Sequence, residues 1–374
     1  MKNSFGTSVT ITLFGESHGP AIGAVIDGLA PGIRIDTEYI SSKLELRKPY
    51  GKISTSRHEE DDFRIISGVF NGMTTGTPIC IIIPNSEQQS ADYTKSRGPV
   101  RPGHADFTAF AKYHGFEDFR GGGHFSGRIT AALVAAGAIA MYALEQKGIC
   151  IGTHIAKLGG ISDTEFGKTD AEIEGNIKKL SHKRFPVISE AAAEEMHKFI
   201  ENVAAEGDSI GGVLETAVTG VSAGVGEPWF DTLEGVLAHG LFSIPGIKGV
   251  QFGGGFDLCD AKGSEYNDAF YLDGGTLKTK TNNNGGINGG ISNGMPIIIR
   301  TAVKPTPSIY KAQETVDMTE GRDTVLEIKG RHDPAIIHRV RAVADAVTAL
   351  TICDMLAQRY GTDWMAEAIK DDKR

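Results

Sequence analysis

Residues Ser8 to Phe14 interleave polar side chains with valine, isoleucine and leucine, the period-two pattern of a half-buried strand. Ile22 to Ile26 reads as a second strand. Between them lies Gly15-Glu16-Ser17-His18-Gly19-Pro20, where flanking glycines free the backbone to present an imidazole at a strand end. Asp36 is placed to cap a helix running to about Leu46, with Ile40 and Leu44 one turn apart. The helix ends at Arg47-Lys48-Pro49. A basic loop follows through Lys52, Arg57 and His58 and turns acidic at Glu59 to Asp62. That loop suits either a solvated segment or a cover over an anionic ligand. Phe63 to Phe70 and Pro78 to Ile83 read as strands around the turn Gly72 to Gly76. Phe107, Phe110, Ala111 and His114 share one face of a short helix, so His114 is assigned to packing. The alanine-rich stretch Ile129 to Lys147 predicts a central buried helix whose N-terminus meets Gly121-Gly122-Gly123.

From Ile151 to Ser209 the pattern turns polar, with a helix over Ala191 to Ala205 after Ser189. This segment reads as a peripheral insertion or an oligomer contact, and His154, His182 and His197 as surface or structural residues. Ile210 to Val225 is strand-like again. Its Ile-Gly-Gly-Val-Leu echoes Ile22-Gly23-Ala24-Val25-Ile26, which points to two related α/β halves. Asp231 with Glu234 suggests a reciprocal cap for a helix through Leu241. Pro245 to Gly249 leads into a strand carrying Gly253-Gly254-Gly255. Gly274 to Gly294 reads as a flexible loop with turns. Pro296 to Val303 is a strand ending in Lys304-Pro305-Thr306-Pro307-Ser308, a stiff turn with one cation and two hydroxyls. Val325 to Lys329 is a strand ending in Gly330-Arg331-His332-Asp333-Pro334. The helix Ala335 to Tyr360 then packs through Ile337, Val340, Val343, Val347, Leu350 and Leu356.

A chain of 374 residues can bury a large core, as one large domain or two smaller ones. The net charge of -9 argues against general nucleic-acid binding. The N-terminus reads as a strand, not a signal peptide, and Ile129 to Leu144 is shorter than the roughly 20 residues of a membrane span. Cys80, Cys150, Cys259 and Cys353 form no CxxC pair; each reads as a buried thiol in a reducing cytoplasm. Within this acidic chain, residues 97–128 are net positive, with Arg97, Arg101, Lys112, Arg120 and Arg128 against Asp106, Glu117 and Asp118. The triple glycine, the arginines, His104 and His124 together suggest a site for a phosphorylated or carboxylated small molecule. Solvated arginines and simple glycine turns are the plainer alternative.

Three motifs, Gly15-Glu16-Ser17-His18-Gly19, Arg101-Pro102-Gly103-His104-Ala105-Asp106 and Gly330-Arg331-His332-Asp333-Pro334, stand with Lys304-Pro305-Thr306. In this order, nearly end to end, they resemble the chorismate synthase family. The resemblance implies a single α/β (α+β) domain over residues 1–374 with a β-α-β sandwich core, helices packed between sheets. It implies conversion of 5-enolpyruvylshikimate 3-phosphate to chorismate and phosphate, a 1,4-anti elimination that requires reduced FMN. It also implies a homotetramer, whose FMN some members reduce themselves with NADPH and others receive reduced from an external reductant. No dinucleotide-type Gly-x-Gly-x-x-Gly follows a strand here, which favours an external flavin reductase. By the same resemblance His18, His104 and Asp333 are catalytic: His18 beside the flavin, His104 as acid for the leaving phosphate, Asp333 in removal of the C6 proton. FMN contacts carry over to His124, Phe125, Ser126, Gly246, Gly289, Lys304, Pro305, Thr306, Pro307, Ser308 and Arg331. Arg47, Lys48, Lys52, Arg57, Arg101, Arg120 and Arg128 are the candidates for the substrate's phosphate and carboxylates. The chain departs from the family pattern at His124, Ile129, Tyr50, Lys52, Pro307 and Asp345. A metal-dependent phosphohydrolase is disfavoured by the absence of an HxH or His-x-x-Glu-His pattern and by arginines beside the histidines. A non-catalytic flavin- or phosphate-binding protein is the other alternative.

Overall fold

The computed structural model describes residues 2–55, 60–85, 98–328 and 332–366. Its first sheet is built from β1 (Ser4–Phe5), β2 (Thr10–Gly15), β3 (Ala21–Asp27), β4 (Arg64–Ser67) and, after the small pair β5 (Val69–Phe70) and β6 (Met73–Thr74), β7 (Ile79–Pro84). Its order is β1-β2-β3-β7-β4, all antiparallel. The second sheet takes β8 (Cys150–Leu158), β9 (Ile161–Ser162), β10 (Gly212–Thr219) and β11 (Ile247–Phe252). Two hairpins, β12 (Phe270–Asp273) with β13 (Thr276–Thr279) and β14 (Ile287–Asn288) with β15 (Ile291–Ser292), precede its last strand, β16 (Ile297–Val303). Its order is β11-β16-β10-β8-β9, again antiparallel. A third hairpin joins β17 (Gln313–Asp317) to β18 (Arg322–Leu326).

The helices are α1 (Thr37–Arg47), α2 (Asp106–Tyr113), α3 (Thr130–Glu145), α4 (Asp170–Leu180), α5 (Glu190–Ala205), α6 (Leu233–Phe242), the short α7 (Gly263–Tyr266) and α8 (Ile337–Tyr360). Of these, α1, α3, α6 and α8 form the layer packed between the sheets, with α4 on the other face of the second sheet. Helix α3 runs along α8, with α1 and α6 beside them, and one continuous apolar core joins this layer to both sheets. Ile22, Ala24 and Ile26 from β3 and Ile79, Ile81 and Ile83 from β7 supply the first sheet's inner face by simple alternation. Helix α3 is buried almost all round, as its alanines allow. With the turn before it, Gly127–Glu145 is apolar and long enough to cross a membrane, but it lies inside the protein. The echoing segments become the middle strand of each sheet, β3 in one and β10 in the other.

Several local expectations are corrected. The segment 151–209 is not peripheral throughout: β8 pairs with β10 along its length, and its His154 is buried between Asp163 and Glu215. The cap of α6 is Thr232, whose hydroxyl accepts from the Gly235 N–H at 3.0 Å, in place of Asp231. Phe107 and Phe110 of α2 are exposed, the buried residue is Ala109, and His114 ends the helix in a left-handed turn (φ 56°). Cys259 is exposed in a polar turn, unlike the buried Cys353. The glycine- and asparagine-rich stretch is ordered, because Asp268 accepts from the backbone N–H groups of Asn283 and Asn284 at 2.8 and 2.9 Å.

Candidate active site

A cleft of about 910 Å³ runs along the first half of α8, from Ile336 to Leu350. Its walls come from distant parts of the chain: the Gly103–Thr108 segment, the loop through Gly121, His124, Phe125 and Ser126, the turn Pro245–Lys248, the turn Lys304–Ser308, and the start of α8 with Asp333 before it. The size is at the upper end for small-molecule sites.

The triple-glycine loop divides the two catalytic-candidate histidines. Gly121, Gly122 and Gly123 all have positive φ, at 58°, 85° and 52°. A side chain at Gly121 would collide with the His18 ring, its Cβ only 2.1 Å from Cε1, so glycine is required for this approach. His18 is buried behind Gly121, its Nδ1 3.1 Å from the Ser17 hydroxyl. That hydroxyl lies 3.2 Å from the carbonyl oxygens of both Arg120 and Gly121, and the Ser17 N–H donates to Gly123 O. His104 stands on the other side, near Gly122, and lines the cleft. Its Nδ1 is 2.7 Å from Asp106 Oδ1.

Asp333 is held at the rim. One carboxylate oxygen accepts from the Thr55 N–H at 2.8 Å and the other from Arg339 Nη1 at 2.7 Å. Arg339 also donates through Nε to Arg47 O at 2.8 Å and lines the cleft itself. Lys304 reaches the Gly103 carbonyl; burial, and Lys248 beside it, hold its ammonium below the usual lysine value. Two lysines in one cleft are suited to an anion.

The remaining candidates divide. Arg47, His124, Phe125, Ser126, Gly246 and Lys304 to Ser308 line the cleft. His124 donates through Nδ1 to the Gly15 carbonyl at 2.8 Å, which ties the loop to β2. Arg47 and Arg128 both pair with the buried Asp61, Arg47 at 2.7 Å. Arg101 pairs with Asp106 and Arg120 with Asp118. Lys48 pairs with Glu45 at 3.0 Å and Lys52 is exposed; neither lines the cleft. Gly289 is exposed in the β14–β15 turn, away from it. Arg57 and Arg331 lie outside the described residues. Sequence reasoning missed Arg339 and Lys248. Lys248 sat inside the noted Pro-Gly turn, whereas Arg339 looked like any helical charge.

The residues present fit a phosphorylated aromatic cofactor such as FMN. Thr306 Oγ1 is buried in the cleft wall with no hydrogen-bond partner among the described residues, and Lys304 and Ser308 sit in the same turn. A buried hydroxyl in that condition favours a ligand that supplies its partner.

A family model described as chorismate synthase matches residues 9–357. A chorismate synthase of Dehalococcoides mccartyi (strain BAV1) is 47% identical over 362 residues, covering 96% of this chain and 98% of its own. One from Thermococcus kodakarensis is 41% identical, covering 96% and 99%. A crystal structure of chorismate synthase superposes with a TM-score of 0.76 at 27% identity, covering 95% of this chain and 94% of that one.

Proposed function

We propose a division of labour within the cleft, from the premise that this chain belongs to the chorismate synthase family. The enzyme converts 5-enolpyruvylshikimate 3-phosphate to chorismate and phosphate. The carbon–oxygen bond to phosphate breaks, a proton leaves C6, and the electrons of that C–H bond become the new conjugated double bond. The reaction therefore needs an acid for phosphate and a base for carbon. His104 protonates the departing phosphate from Nε2, and Asp333 receives the C6 proton. The observation that carries this reading is that His104 and Asp333, from opposite ends of the chain, line one cleft, each fixed by a charged partner. Lys248, Lys304 and Arg339 face the substrate's anionic groups, with Arg47, Arg101, Arg120 and Arg128 turned mainly to internal carboxylates. Bound reduced FMN would supply transient electron density to the substrate, and Ser126, Gly246, Lys304, Thr306 and Ser308 would hold it. His18 backs the Gly121 wall of that site, its Nδ1 beside the Ser17 hydroxyl.

The flavin is reduced by a separate reductase, and the enzyme works in the cytoplasm as a homotetramer. Its cysteines, all free thiols, support the compartment. Trp229 and Phe230, 76% and 98% exposed, support assembly. The test is anaerobic turnover of 5-enolpyruvylshikimate 3-phosphate with chemically reduced FMN, for wild type, His104→Ala and Asp333→Ala. Loss of turnover without reduced flavin, and falls of roughly 10²-fold or more in both variants, are expected. Wild-type rates in either variant would overturn its assigned role.

A further inference from the structure

The carboxylate of Asp106 is saturated. Oδ2 accepts from the Arg101 backbone N–H at 3.0 Å and from Arg101 Nε at 2.8 Å. Oδ1 accepts from Arg101 Nη2 at 2.7 Å and lies 2.7 Å from His104 Nδ1. Partial burial works against its charge, but the bonds from Arg101 and His104 hold the carboxyl well below the usual carboxylate range. An ionised carboxylate can only accept, so the proton between the two residues belongs to His104 Nδ1. The other ring nitrogen is then the one turned toward Gly122, 3.7 Å from the position of a Cβ there, at the lip of the cleft.

We propose that Asp106, clamped by Arg101, is a positioning residue for the elimination: it keeps a proton on His104 Nδ1 and fixes the aim of the ring, so that the proton the doubly protonated ring gives up is the one on Nε2, facing the departing phosphate oxygen. Arg101 then acts as the clamp of an Arg–Asp–His line. The bonds made and broken are unchanged: the ring acts from its doubly protonated form, Nε2 gives its proton to phosphate as the carbon–oxygen bond breaks, and the ring is left as the Nδ1–H form with Asp106 ionised beside it. The inference rests on the reading of His104 as the acid.

The experiment uses the FMN-loaded enzyme with Asp106→Asn, His104→Ala and the double variant, and ¹⁵N spectra of the His104 ring in wild type and Asp106→Asn. Asp106→Asn is expected to lower kcat roughly 10- to 100-fold, with KM and FMN affinity within about threefold. The double variant is expected to be no slower than His104→Ala, because Asp106 acts through that ring. The ring signals of the neutral form, the one left after the proton is given up, should move from a single Nδ1–H tautomer to a tautomer mixture. If Asp106→Asn further slows the His104→Ala enzyme, or raises KM at unchanged kcat, Asp106 merely supports the loop and the proposal fails. It also fails if kcat and the ring signals are both unchanged. Should His104→Ala itself turn over normally, the reading of His104 is at fault, and Asp106 loses its role with it.

Discussion

Asp333 and Arg339 form a unit in which each residue limits the other. The guanidinium uses one nitrogen on Asp333 and another on the carbonyl of Arg47, so it bridges the rim of the cleft to the end of α1. A lysine could keep the charge but could not hold both partners in one plane. Arg339→Ala is therefore expected to raise KM and to lower kcat by roughly 10- to 100-fold. Arg339→Lys should recover much of the KM while kcat stays low. Steady-state kinetics decide it: a lysine variant with full kcat would mean that Arg339 contributes charge alone. His104 and Asp333 were singled out in the chain because their short Gly- and Pro-bounded motifs resemble those of the chorismate synthase family. Arg339 was not, since a single arginine on a long helix has nothing local to mark it. Asp106 was visible within its motif, but its bond to His104 needs the turn that folds it back, and no spacing rule supplies that. Gly289 shows the opposite limit: its glycine-rich context forms a hairpin turn outside the lining of the cleft.

At the scale of elements, periodicity served the sheets better than the helices. A strand with one inner face alternates, as β3 and β7 do, whereas a helix sandwiched between two sheets has no solvent face to reveal its orientation. Helix α8 illustrates this. Besides the apolar positions apparent in its sequence, it buries His338, Arg341, Asp345, Thr348, Thr351 and Asp354, because sheet and helix surround it. These polar groups have work within the core: Asp345 accepts from Thr153 of β8 at 2.6 Å, and Asp354 accepts from the N–H groups of Thr7, Ser8 and Val9. Helix α3 approaches α8 closely at Gly137, where an added Cβ would lie 2.3 Å from Ala346 Cβ and 2.5 Å from its Cα. Helix propensity alone would make Gly137→Ala stabilising by about 1 kcal/mol. Steric overlap with a backbone atom predicts the opposite sign, a loss of about 1–3 kcal/mol, because the two helices must part. Urea unfolding measures the sign directly, and a stabilised variant would show that the helices separate at little cost.

The behaviour of the whole molecule with pH follows from two buried histidines of opposite sense. His154 is buried, which disfavours its charge, but Asp163 and Glu215 at its two nitrogens outweigh this and raise its pKa. Its contribution to stability is present in full below the unfolded value of about 6.5 and disappears as pH rises through the folded value. His338 is fully buried near Arg339, His197 and Arg184. Burial first, and those charges after it, push its pKa down to about 3. Its Nε2 meets the Ser54 hydroxyl at 2.8 Å, and its Nδ1 has no partner among the described residues. Above about pH 6.5 the ring is neutral in both folded and unfolded chains and stability does not depend on it. Below that pH the unfolded chain gains a proton that the native protein refuses, so stability falls by up to about 1.4 kcal/mol per pH unit. His338→Gln, which cannot titrate, loses some packing at pH 7 but lacks this slope. The stability advantage of wild type over the variant should therefore shrink by about 2 kcal/mol between pH 7 and pH 5. Because His154 and the carboxylates titrate alike in both proteins, the difference isolates His338. Equilibrium unfolding at the two pH values tests it, and a constant difference would mean that the ring takes up its proton in the folded core, with Ser54 turning to accept it.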